Sequence, residues 1–151
     1  MQRREPAALN RTGALPMNPA ERASIERFVR DTLGCRCPDE VFESITVRPA
    51  SSPESAEPYT RLVVGSRLLI YVLESPGQRA APATVERLAR RGLSERDEHG
   101  FNRFRLVVGC DPAARVPGEL AAGFASITDN DDRAHLHVIA ASQLPDVLRS
   151  K

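Results

Sequence analysis

The sequence has no tryptophan, and of its 21 basic residues only Lys151 is a lysine. Aromatics make up 5% of it, against 41% hydrophobic residues in all. A core must therefore be built from Leu, Val, Ile and Ala with a few Phe. No charge dominates: 21 basic and 20 acidic residues leave a net +1. Binding to nucleic acid or an anionic membrane by bulk electrostatics is disfavoured, since both need a surplus of positive charge. No run of 18 apolar residues occurs, which argues against a transmembrane helix. The N-terminal stretch MQRREPAALNRTGALPM lacks the apolar region of a secretory signal. Three cysteines, an odd number, do not make a disulfide framework, so a reducing cytoplasm is the expected compartment. Walker loop, GxGxxG, GxSxG and HExxH are all missing, which removes the common nucleotide and hydrolase readings but not every enzyme.

The preference for arginine over lysine fits a GC-rich genome. Use of arginine forks for carboxylate or phosphate needs clustered arginines, and along the sequence they do not cluster strongly. A length of 151 residues favours one domain, which can hide roughly two thirds of its extended-chain surface.

Residues 1–17 carry no periodicity and contain Pro6 and Pro16, so they are expected to be disordered or loosely attached. Met17 precedes a strong helix start and is a candidate natural first residue. The domain is expected over 18–151. NPAERASIERFVRDTLG reads as a helix: Asn18 caps it, Pro19 suits the first turn and Glu21 completes a capping box. Ile25, Phe28, Val29 and Leu33 form its apolar stripe, and Gly34 ends it. PDEVFES restarts a short helix with Pro38 in its first position and Val41, Phe42 and Ile45 inward.

ITVRP reads as a short strand, and ASSPESAEP as a polar loop. TRLVVGSRLLIYVLE gives a hairpin through Gly65-Ser66, or one long strand bulged at Gly65. LLIYVL is apolar on both faces, as a central strand requires. SPGQRAAPATVERLARRGL is a loop and then a helix ending near Gly92, and SERDEHG a charged connection. FNRFRLVVG is a strand with Phe104, Leu106 and Val108 on one face. A helix between two such strands implies a crossover and parallel pairing. A helix is expected from about Pro117, with a hairpin through DNDD as the competing reading. AHLHVIAA is the last strand, and SQLPDVLRS a short terminal helix. The fold class is α/β, bordering on α+β: a mixed sheet of about five strands packed with helices, after an N-terminal helical pair.

The chemistry-bearing candidates start with Cys35 and Cys37 in LGCRCPDEVF. Cys37 falls where the second helix needs an N-cap, and backbone N–H groups there stabilise a thiolate. Arg36 adds positive charge, while Asp39 and Glu40 oppose it. Cys37 would be the reactive thiol and Cys35 its resolving partner, in a strained, easily reduced pair. A buried corner, with cysteine acting as a small hydrophobe, is the favoured alternative. Cys35, Cys37, Cys110, His135 and His137 could together supply a zinc or other transition-metal site. No local spacing matches a zinc signature, and HLH reads more simply as a strand with its polar residues turned from Leu136 and Val138. Asp129, Asp131 and Asp132 resemble the opening of a calcium loop without its glycine and closing glutamate, so a solvated turn is favoured. His99 stands among Glu95, Arg96, Asp97, Glu98 and Arg103, a composition open to a general base but usual for an exposed connection.

LGCRCPDEVF resembles a segment of small bacterial proteins that carry no assigned activity, with looser similarity in RLLIYVLE. The resemblance implies a bacterial origin and transfers no chemistry. The expected function is a non-enzymatic binding or interaction module, possessing no cofactor, with a homodimer or another protein as its partner and neither nucleic acid nor membrane. The alternative is a thiol-dependent redox or metal-handling protein built on Cys35 and Cys37.

Overall fold

A computed structural model describes residues 18–34, 36–52, 55–75, 82–110 and 117–149. The expectations for residues 1–17, for Met17 as a start and for Cys35 lie outside these. Helix α1 spans Pro19–Arg27. The Asn18 side chain accepts from the Glu21 N–H at 2.8 Å, and Glu21 accepts from the Asn18 N–H at 3.1 Å, so two orphan donors are satisfied reciprocally. The helix runs on as a π-turn over Phe28–Thr32, with Leu33 N–H bonded to Phe28 O. Gly34, at φ +71°, stops it.

Five strands follow: β1 (Ile45–Ser52), β2 (Ser55–Val64), β3 (Leu68–Ser75), β4 (Arg103–Cys110) and β5 (Ala134–Ala140). Their order in the sheet is β1-β2-β3-β4-β5. The first three pair antiparallel, and β3-β4 and β4-β5 pair parallel. The fold is thus α/β with a mixed sheet, and β3 is its central strand. β1 and β5 form the borders, where an exposed ladder is open to pairing.

The apolar residues divide by strand alternation. Leu69, Tyr71, Leu73, Phe104, Leu106 and Val108 pack beneath α2 (Pro82–His99) and α3 (Pro117–Thr128). Leu68, Ile70, Val72 and Val107 face the other way, under α1, the π-turn and the short turns. Helices therefore cover both faces.

Two expectations differ from the structure. In the polar stretch expected as a loop, residues 50–52 continue β1 and 55–58 belong to β2, because ladder bonds form regardless of side-chain polarity. Its register shifts between Ala50 and Ser52, beside Pro58, which has no N–H to donate. Helix α2 does not end near Gly92 but runs to His99. Gly92 sits against Phe104, where an added Cβ would lie 2.1 Å from the ring. The terminator is Gly100, at φ +70°, followed by a Phe101 N–H bond to Arg96 O of the kind that closes helix ends. The helix expected from about Pro117 forms as α3, and the competing hairpin through DNDD does not.

The turn at 65–67 is a hairpin and not a bulged strand. Arg67 N–H reaches Val64 O at 3.1 Å, and Gly65 and Ser66 both have positive φ. Gly65 also lets the turn press on Val41, whose Cγ1 would stand 2.5 Å from a Cβ there.

Candidate functional site

The segment after α1 and the start of the β3–β4 pair enclose a cleft of about 370 Å³. One wall is Gly34, Arg36, Cys37, Pro38 and Val41, and the other is Arg67, Leu68, Asn102, Arg103 and Arg105. The first wall ends in a single 3-10 turn, Asp39–Glu43. Arg22 holds that turn by donating Nη1 to Phe42 O and Glu43 O, at 3.2 and 2.8 Å. Arg30 pairs with Asp39 at 2.5 Å and lies 4.7 Å over the Phe42 ring. The second wall is fixed by Arg67 O, which accepts from Asn102 N–H at 2.7 Å and from Arg103 N–H at 3.1 Å.

Four arginines, Arg36, Arg67, Arg103 and Arg105, line this cleft, and among the described residues no carboxylate does. Arg105 is 6% exposed. Its Nη1 donates to Leu33 O at 2.8 Å and meets His137 Nε2 at 2.9 Å. The first bond satisfies a carbonyl orphaned at the end of the π-turn. In the second, arginine can only donate, so Nε2 must accept and the ring proton resides on Nδ1. Arg105 Nε is buried with no hydrogen-bond partner among the described residues. Burial, with Arg103 nearby, holds the Arg105 guanidinium below its ordinary value, yet an arginine stays charged at any physiological pH. Burial, then Arg105 and His135, push His137 down to about 4, so its ring is neutral. A buried cation thus faces a carbonyl and an imidazole lone pair and, among the described residues, no negative charge. Such a charge is costly unless paired, and the missing complement is an anion.

Cys37 lies on the wall of this cleft and is disulfide-bonded. The N-cap residue of the following turn is Pro38, not Cys37. The N-cap place expected for Cys37 is therefore taken by Pro38, and Cys37 stands as a disulfide in this structure. Cys110 keeps its thiol, buried at the far end of β4, about 20 Å from the cleft by strand rise. His135 and His137 share the face of Arg105 in the β4–β5 register. Among the described residues no three His, Cys, Asp or Glu stand close enough to hold a metal ion.

The other candidates are engaged elsewhere. Asp131 accepts from Arg133 N–H at 2.8 Å and pairs with the buried Arg96 at 2.9 Å. These partners hold its carboxyl below the usual range and tie the end of α2 to the α3–β5 turn. His99 is exposed at the end of α2, its ring 5.8 Å from that of Phe101. Glu95 is turned to Arg61, at 2.7 Å, and to the Tyr71 hydroxyl. Burial raises its carboxyl, but those two hydrogen bonds outweigh burial and hold it low. Arg91 donates to Tyr59 at 2.9 Å alongside. This network under α2 carries paired charges, unlike the cleft.

Sequence reasoning did not gather the four arginines, which lie up to 69 positions apart by the difference of 105 and 36. One signal was present in FNRFR: Arg105 sits mid-strand between Phe104 and Leu106, where a parallel strand covered on both faces has no room for an unpaired charge.

No family model matches the chain, and no curated protein or solved structure matches it. Among the described residues no helix is long and apolar enough to cross a membrane.

Proposed function

We propose that the chain is a non-enzymatic binding module whose ligand presents a negative charge to the arginine cleft. The observation that supports this is Arg105: a buried cation on the cleft wall with, among the described residues, no partner for its Nε–H and no carboxylate in the lining. Arg36, Arg67 and Arg103 are exposed and act at the mouth, where they attract anions and are screened by salt. The test is thermal unfolding in citrate or inorganic phosphate against chloride at matched ionic strength. An anion present at ten times its Kd stabilises the folded chain by about 1.4 kcal/mol, which raises Tm by about 3–5 °C at this size. Equal melting in all three salts overturns the reading.

The second reading is thiol–disulfide exchange. The observation that favours it is Cys37, disulfide-bonded on the wall of the same cleft beside Arg36. Such a bond is stable in an oxidising compartment and transient, catalytic or sensing, in a reducing one. Alkylation of the native protein before and after mild reduction tests it. Rapid labelling of Cys37 only after reduction supports exchange; equal labelling without reductant refutes it.

A further inference from the structure

We propose that the cleft takes a small organic anion with two unlike ends: a carboxylate or phosphate head against Arg105, and an apolar body against Leu68, Val41 and Pro38. This rests on the anion-binding reading above and adds the class of ligand.

The head follows from the way Arg105 is committed. Nη1 spends its hydrogens on Leu33 O and His137 Nε2. What remains is the Nε side of the guanidinium, buried and without a partner among the described residues. A planar carboxylate or a phosphate meets that side with two oxygens, a geometry an arginine fork matches and a lysine does not. One anionic head also supplies the charge that the neutral His137 and the Leu33 carbonyl cannot.

The body follows from the apolar lining and from size. Val41 and Pro38 on one wall and Leu68 on the other carry no polar side-chain atom. The turn glycine Gly65 brings β3 close enough to Val41 for these residues to form one surface. A volume of about 370 Å³ lies at the lower end of small-molecule sites, which run from about 300 to 1,000 Å³. It exceeds what a bare oxyanion fills and is too narrow for a folded partner. The mouth arginines favour approach of the charged end, and Asn102 on the rim adds an uncharged donor and acceptor.

The experiment is two-dimensional ¹H–¹⁵N NMR on the full chain, following the Arg105 Nε–H signal and the amides of Arg36, Leu68 and Arg103. Arg105→Lys assigns the Nε–H signal by removing it, and its remaining amides report whether the fold is kept. The probes are two matched pairs, benzoate with acetate and phenyl phosphate with inorganic phosphate, along with phenol and hexaglutamate. Benzoate or phenyl phosphate is expected to move the Arg105 Nε–H signal and to bind at least about tenfold tighter than its small mate, the factor set by burying roughly 50 Å² of apolar surface. Arg105→Lys should lose at least about tenfold in that affinity while phenol binds neither protein. If acetate and inorganic phosphate match their aromatic mates, the apolar body is refuted and the anion reading stands. If hexaglutamate outcompetes both aromatics, the ligand is an acidic chain and the small-molecule assignment falls. If no anion moves the Arg105 signal, both readings fall together.

Discussion

His137 turns acidity into a measurable loss of stability. Its ring is held neutral in the folded chain, down to about 4, by burial, by Arg105 and by His135. In the unfolded chain the same ring titrates near the ordinary 6.5. As pH falls through 6.5, the unfolded chain takes up a proton that the folded chain refuses until pH approaches 4. The contribution is therefore fully present above pH 6.5 and is lost progressively between 6.5 and 4. At about 1.4 kcal/mol per pH unit, the gap sets a ceiling of about 3 kcal/mol. Partial solvent contact at the half-buried ring reduces the expectation to about 2 kcal/mol. His137→Gln removes the titration and keeps an acceptor for Arg105. Other groups titrate in both proteins, so the difference between their urea-unfolding curves from pH 7 to 4 isolates His137. The wild type should lose about 2 kcal/mol more than the variant across that range. Parallel curves, or an NMR titration of His137 near 6.5, would refute the placement of a neutral imidazole against a buried guanidinium.

Gly92→Ala sets propensity against packing. Alanine gains about 1 kcal/mol in a helix interior, but the added Cβ would meet the Phe104 ring at 2.1 Å, in a core where overpacking costs about 1–3 kcal/mol. A net loss of about 1–2 kcal/mol in urea unfolding is expected, and a stabilised variant would show that the ring moves aside freely. Asp131→Ala strips the buried Arg96 of its nearer carboxylate and leaves Asp97 at 3.1 Å; a loss of about 2 kcal/mol is expected, and a change under 0.5 kcal/mol would show that Asp97 suffices. Cys110 should resist alkylation until the chain is unfolded, since it is 1% exposed; labelling in the native state at the rate of a free thiol would mean that the end of β4 opens readily.

The elements written by local rules were legible in the sequence. Asn18, Pro19 and Glu21 announce α1, the two-faced apolar run LLIYVL marks the central strand, and Phe104, Leu106 and Val108 give the buried face of β4. The end of α2 was obscured because Gly92 is there to admit a ring, a tertiary reason that looks like a stop signal in one dimension. The first hairpin was obscured because its outer residues are polar and are joined by ladder pairing that no apolar pattern announces. The cleft was hidden for a different cause. Its arginines come from a loop, a hairpin turn and a strand, and only the meeting of Arg67 with Arg103 in the sheet brings them together. Arg105 alone was visible, as a charge in a place where a strand allows none without a partner.

The order of the strands in the sheet repeats their order along the chain. Every strand after the first therefore docks on the one made just before it, and none has to be inserted between two already paired. The β1–β2 and β2–β3 closures span a few residues each, and the β3–β4 and β4–β5 closures span one helix each. Such pairings are local for a mixed sheet, and local pairings close fast. A chain emerging from the ribosome can zip its first three strands before α2 exists, then add each helix with its strand as a unit. The sheet can be assembled in the direction in which the chain is synthesised, with β1 as its standing edge and the newest strand as the edge that grows.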